Sequence, residues 1–206
     1  MLHREELIME RLRFLRKQIN MTQTELARRL HITQGALNHY EKGVTEPSIE
    51  KLNQLAEILH TTVDFLVERT DKQRYPVLGT IAAGQPIFSD CNIEGYQEFD
   101  FNPSLDKRYY VLNVKGDSMY PFYLSGDRVL VESGTCDEPN KKTVYAVRVG
   151  DEATMKMVHK HPNGMMLVAH NTSAYSPTFY TPEQCMELPV EIIGTVKALS
   201  RVVREE

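Results

Sequence analysis

The chain has 206 residues, 41% of them hydrophobic, and a formal net charge of −4. That length suits one large domain or two small ones, with enough apolar side chains for packed cores. No apolar run approaches the roughly 20 residues that span a bilayer. The mixed-charge start (His3, Arg4, Glu5, Glu6) lacks the apolar stretch of a signal peptide, so a cytoplasmic location without a membrane partner is expected. The cysteines Cys91, Cys136 and Cys185 are widely spaced, odd in number and form no CxxC pair, which argues against a disulfide framework or a zinc site. His159 and His161 flank Lys160 without nearby cysteine or carboxylate partners, so they are taken as surface residues and neither metal nor cofactor is expected.

Up to Arg74 the basic and acidic residues roughly balance, and most of the acidic excess follows Tyr75, which points to two domains with different work. The first part has helical period. Ile8, Leu12, Leu15 and Ile19 recur at that spacing. Thr22, with Glu25 three residues on, opens a second helix in the manner of a capping box, with Leu26, Ala27 and Leu30 inward. Thr33 starts a third that runs to about Tyr40 and stops at Gly43. Pro47 and Ser48 open a fourth, which carries Ile49, Leu52, Leu55, Ala56 and Leu59. Thr61 or Thr62 caps a short fifth with Phe65 and Leu66. A polar stretch from Glu68 to Arg74, then Tyr75-Pro76, is expected to be a linker.

Beyond it the period becomes two. Strands are expected at Tyr109–Lys115, Asp127–Glu132, Thr143–Val149, Glu152–His159, Met165–His170 and Val190–Val203, with no helix between them. The expected fold class is therefore α + β in two domains: an all-α, five-helix domain over residues 1–68, a linker over 69–76, and a mostly-β domain over 77–206.

The short turn around His31 and Ile32 joins helices two and three into a helix-turn-helix, whose second helix enters the DNA major groove. The residues Thr22-Gln23-Thr24-Glu25-Leu26-Ala27, then Ile32-Thr33-Gln34-Gly35-Ala36-Leu37-Asn38-His39-Tyr40-Glu41-Lys42-Gly43, resemble the phage lambda-type repressors over about residues 7–67. The family usually carries glycine where this chain has His31, a residue that tolerates the left-handed backbone better than most. The resemblance implies double-stranded operator DNA as partner, with Thr33, Gln34, Gly35, Asn38 and His39 at the groove. Gln34 and Asn38 suit bidentate bonding to adenine. Gln23 is expected to clamp a phosphate and support Gln34, and Lys42 to meet phosphate.

In the second half, Val114-Lys115-Gly116-Asp117-Ser118-Met119-Tyr120-Pro121, Ser125-Gly126-Asp127-Arg128-Val129, Ala153-Thr154-Met155-Lys156-Met157-Val158 and Gly79-Thr80-Ile81-Ala82-Ala83-Gly84-Gln85-Pro86 resemble the LexA-type self-cleaving serine peptidases over about residues 76–203. The resemblance implies Ser118 as nucleophile, Lys156 as general base and Ala83–Gly84 as the scissile bond. The oxyanion donors would be the backbone N–H groups of Ser118 and Asp117. A serine hydroxyl needs a neighbouring base, and a lysine serves only when neutral, which burial among Met155, Met157, Val158 and Tyr145 would favour. The family further implies a homodimer through the C-terminal domain and a RecA–single-stranded DNA filament as trigger, in the bacterial cytoplasm or nucleoid. Two alternatives stay open: a repressor whose β-domain only dimerises or senses another signal, and a peptidase acting in trans.

Overall fold

The computed structural model describes residues 4–67, 69–79 and 93–201. The chain divides into two compact units, residues 1–75 with 96–108, and residues 76–95 with 109–206. Among the described residues no helix is long and apolar enough to cross a membrane.

The first unit carries α1 (Arg4–Gln18), α2 (Gln23–Arg29), α3 (Gln34–Lys42), α4 (Ile49–Ile58) and α5 (Val63–Leu66). Thr22, Thr33, Ser48 and Thr62 cap α2 to α5, each side chain accepting from the amide three residues on. Such a cap is worth about 1 kcal/mol. The capping box expected at Thr22 forms only by half, because the Glu25 carboxylate turns to Arg29 at 3.4 Å. Of the two candidates for the fifth cap, Thr62 takes the role and the Thr61 hydroxyl donates to Gln73 instead.

Helix ends are equally regular. Asn20, His31, Gly43 and His60 all adopt positive φ, His31 at 53°. At each, the next residue's amide reaches the carbonyl five back, as in Ile32 N to Ala27 O at 3.0 Å. This is the Schellman arrangement, and it turns the chain sharply from α2 into α3. Leu12, Leu15, Leu26, Leu30, Leu37, Leu55, Leu59 and Phe65 fill the core between the helices.

The expected linker is a strand from Lys72 onward: β1 (Lys72–Leu78) alternates exposed Lys72 and Arg74 with buried Gln73 and Tyr75. The polar Gln73 hides the alternation in the sequence. It is tolerated inside because it accepts from Thr61 and donates to Arg74 O. Arg11, 5% exposed, stacks over Phe65 and donates to Phe65 O, Thr70 O and Asp71, so this stretch is tied to α1. Residues 96–108 also group with the first unit rather than with the β-domain. Tyr96, in β2 (Ile93–Asp100), stacks on His60 at 4.1 Å, and Gln18 Nε2 donates to Lys107 O at 2.6 Å.

The second unit is built on β3 (Tyr109–Asn113), β4 (Arg128–Ser133), β5 (Val144–Val149), β6 (Glu152–His161), β7 (Gly164–Val168), β8 (Thr178–Tyr180) and β9 (Val190–Ser200). The sheet runs β3-β4-β9-β5-β6-β7-β8, with the end of β1 parallel to β3. Its faces bury separate clusters, one including Tyr110, Val129, Val131, Ala146 and Ile193, the other Tyr145, Val147, Val158 and Ile192. That is why Val144 to Val147 is apolar on both parities. Gly194 sits where β9 crosses β4; a Cβ there would meet Glu132 O at 2.6 Å. The expectation of no helix in this half is corrected by α6 (Pro182–Glu187), capped by a full Thr181/Gln184 capping box with proline in its first turn.

Candidate functional site

In the first unit, Gln23, Gln34, Asn38 and Lys42 line one concavity of the helix-turn-helix surface. Gln34 Nε2 donates to Gln23 Oε1 at 3.2 Å, and Gln23 Nε2 donates to Glu41 at 2.7 Å. Glu41 is in turn gripped by Arg16 through two bonds of 2.6 and 3.0 Å, while Arg16 also donates to Met21 O. A chain of directed bonds thus runs from α1 to the first turn of α3 and sets which way the Gln34 amide points. Thr33, Gly35 and His39 are exposed but lie outside this concavity, and the Thr33 oxygen is engaged as the α3 cap. Sequence reasoning missed Arg13 and Lys17, which line the same concavity. Their spacing of four on α1 was the available signal.

In the second unit, Val114 leaves β3 and exchanges backbone bonds with the Gly126–Asp127 turn. Gly116, at φ +74°, then turns the chain back so that half-buried Ser118 faces β6. Lys156 projects from β6, opposite Tyr145 in the β5 register. Its Nζ lies 2.9 Å from Ser118 Oγ, 3.1 Å from Thr154 Oγ1 and 2.9 Å from Met155 O. Among the described residues no carboxylate pairs with it, and burial holds its amine below the ordinary lysine value. Thr154 is a site residue that sequence reasoning missed; its place two residues back on the same strand face was the signal. Of the expected surroundings, Met155, Val158 and Tyr145 are buried and Met157 packs beside the core.

Around Ser118 opens a cleft of about 440 Å³ lined by Leu78, Gly79, Glu94, Leu112, Val114 and Met155 among others. The backbone N–H groups of Asp117 and Ser118 donate to no group among the described residues. The Asp117 carboxylate accepts from the Tyr175 hydroxyl at 2.5 Å. Asp127, buried behind the turn, is held by two bonds from Arg201 (2.8 and 2.7 Å) and accepts from Leu124 N. These bonds keep its carboxyl below the usual range. Ala83 and Gly84 lie outside the described residues.

Comparison with known proteins matches residues 76–197 to the Peptidase S24-like family and residues 12–66 to a helix-turn-helix family. The chain is 34% identical over 125 residues to the LexA repressor of Corynebacterium efficiens, covering 60% of this chain and 51% of that one. It is 38% identical over 105 residues to that of Hahella chejuensis, covering 50% of each. It is 31% identical over 162 residues to that of Shewanella baltica, covering 76% of this chain and 75% of that one. The match thus spans about half the length of the first two relatives and three quarters of the third. A solved hydroxypropylphosphonic acid epoxidase aligns at 13% identity over 95% of this chain and 96% of that one, with a TM-score of 0.29 that carries no argument.

Proposed function

Because the chain belongs to the Peptidase S24-like family and carries a helix-turn-helix segment, we propose that it is a DNA-binding transcriptional repressor that inactivates itself by cutting its own Ala83–Gly84 bond. The observation that carries this reading is the 2.9 Å approach of Lys156 Nζ to Ser118 Oγ, with no carboxylate among the described residues to keep the lysine charged.

The bonding capacity of the amine explains how the pair works. An ammonium has three N–H groups, and Met155 O, Thr154 Oγ1 and Ser118 Oγ can take one each. The neutral amine has two. Met155 O can only accept and Thr154 Oγ1 accepts the other, so the lone pair is left facing the Ser118 hydroxyl. Lys156 then takes the Ser118 proton as Oγ attacks the Ala83 carbonyl carbon. The developing oxyanion is met by the N–H groups of Ser118 and Asp117. The lysine returns its proton to the Gly84 nitrogen, and the C–N bond breaks to leave an Ala83 ester on Ser118. A water deprotonated by the same lysine hydrolyses that ester.

Chain geometry supports cutting in cis. Gly79 and Glu94 both line the Ser118 cleft. Ala83 lies four residue steps beyond Gly79, a reach of up to about 14 Å. Positioning within one chain supplies the largest kinetic advantage.

The reader face fits a partner of duplex DNA. Gln34 and Asn38 offer paired donor and acceptor groups for adenine edges, and Arg13, Lys17 and Lys42 surround them for phosphates. Two chains joined through their C-terminal units would hold two readers on one operator, with an effective concentration near millimolar for the second half-site. Cutting at Ala83–Gly84 breaks the covalent link between reader and joiner, and operator occupancy is expected to fall. A RecA–single-stranded DNA filament is the trigger proposed with this reading. The test is operator binding by wild type, Ser118→Ala and Lys156→Ala chains after incubation with activated filament. Wild type is expected to lose binding while both variants keep it; equal retention by all three contradicts the proposal.

A further inference from the structure

The loop between β7 and β8 makes contacts with the Ser118 turn that the dyad does not use. Asn171 N donates to Ser118 O at 3.0 Å, and Asn171 Nδ2 donates to Asp117 O at 3.3 Å. Those two carbonyls belong to the two peptide groups on either side of the Ser118 Cα. A trans peptide is planar, with its N–H directed opposite to its C=O. Holding Asp117 O toward Asn171 therefore aims the Ser118 N–H the other way. Holding Ser118 O as well fixes the second plane. With both planes set, φ and ψ of Ser118 are set, and with them the direction in which Cβ leaves the backbone.

We propose that Asn171 is a positioning residue for the nucleophile: it pins both peptide planes flanking Ser118, so that one N–H faces the oxyanion and Oγ faces Lys156. The proposal rests on the self-cleavage reading. Asn171 makes no hydrogen bond to Lys156 among the described residues and does not itself line the cleft. Its own orientation is braced: Ser173 Oγ donates to Asn171 Oδ1 at 2.9 Å, which leaves the amide nitrogen for Asp117 O. Tyr175 completes the brace, its N–H donating to Asn171 O and its hydroxyl to the Asp117 carboxylate.

An account in which Asn171 only stabilises the loop makes a different forecast, so three quantities are read on the full chain. They are the first-order cleavage rate on its alkaline plateau, the pH midpoint of that rate, and the thermal midpoint. For Asn171→Ala the plateau rate is expected to fall about 10²-fold, the scale of a lost oxyanion donor. The pH midpoint should stay at the wild-type value, because the surroundings of Lys156 are untouched. Should Asn171→Ala fail to fold, Asn171→Leu keeps the branched shape and the backbone donor, stays uncharged, loses the Nδ2 donor, and should show the same fall. A variant that folds and cuts within twofold of wild type overturns the inference alone. So does a fall in rate accompanied by a shifted pH midpoint, which would mean that Asn171 acts through the lysine. Wild type that never cuts overturns the self-cleavage reading, and this inference with it.

Discussion

Replacing Glu41 by glutamine tests the bond chain that orients the Gln34 side chain. The Glu41 side chain is 4% exposed and its partner Arg16 is 12% exposed. Arg16 grips the carboxylate with two bonds and Gln23 adds a third. Glu41→Gln keeps the shape but leaves the guanidinium buried with no opposing charge. Breaking such a pair by removing one partner costs about 3–5 kcal/mol. In a unit of this size each kcal/mol shifts the thermal midpoint by about 4–8 °C, so a fall above about 10 °C is expected. The control is Glu25→Gln, which breaks the pair between Glu25 and Arg29, 41% and 47% exposed. Solvent screens that pair to about 0.3–0.5 kcal/mol. Scanning calorimetry of the full chain measures both variants. Arg16→Met with Glu41→Met should recover part of the loss, because no buried charge is left. A Glu41→Gln midpoint within 2 °C or so of wild type, on the same scale, would refute the reasoning.

Three further outcomes follow from the structure. His31 pays for its left-handed backbone at φ 53°, so His31→Gly should stabilise the first unit by about 0.5–1 kcal/mol in thermal unfolding. Burial lowers the Lys156 pKa, so the native state bears an unfavourable charge below that lowered value and none above the ordinary 10.5. Lys156→Met should therefore be more stable than wild type at neutral pH in denaturant titrations, with the gain shrinking as pH rises toward 10.5. Arg13→Ala and Lys17→Ala should each weaken binding alike on specific and random duplexes, and lower the salt slope of log K by about 0.9 per phosphate contact. An unchanged slope would remove α1 from the interface.

Helices α2 to α5 were legible because their caps and apolar spacing agree. Thr33, Leu37 and Gly43 together define α3 almost without tertiary information. The approach of Lys156 to Ser118 was legible through resemblance, and the apolar residues around Lys156 already pointed to the burial that lowers its basicity. What escaped notice had physical causes. Buried Gln73 disguised β1 as a polar linker, since a satisfied polar side chain reads as exposed in sequence. The attachment of residues 96–108 to the first unit depends on contacts such as Gln18 with Lys107, far apart in the chain. The α6 helix was within reach, because Thr181-Pro182-Glu183-Gln184 spells its start. Asn171 was not: its importance lies in which two carbonyls it faces across the sheet end.

In the proposed reaction Ser118 and Lys156 cut this chain's own backbone. Intact-mass spectrometry of the purified full chain, incubated from about pH 7 to 10 beside Ser118→Ala and Lys156→Ala, tests it most directly. Two fragments are expected, residues 1–83 and 84–206, formed at a rate that rises with pH as neutral lysine accumulates and is independent of protein concentration. Both variants should stay whole. A wild-type chain that stays whole across that range, with or without activated RecA filament, or a Lys156→Ala chain that cuts as fast as wild type, would contradict it.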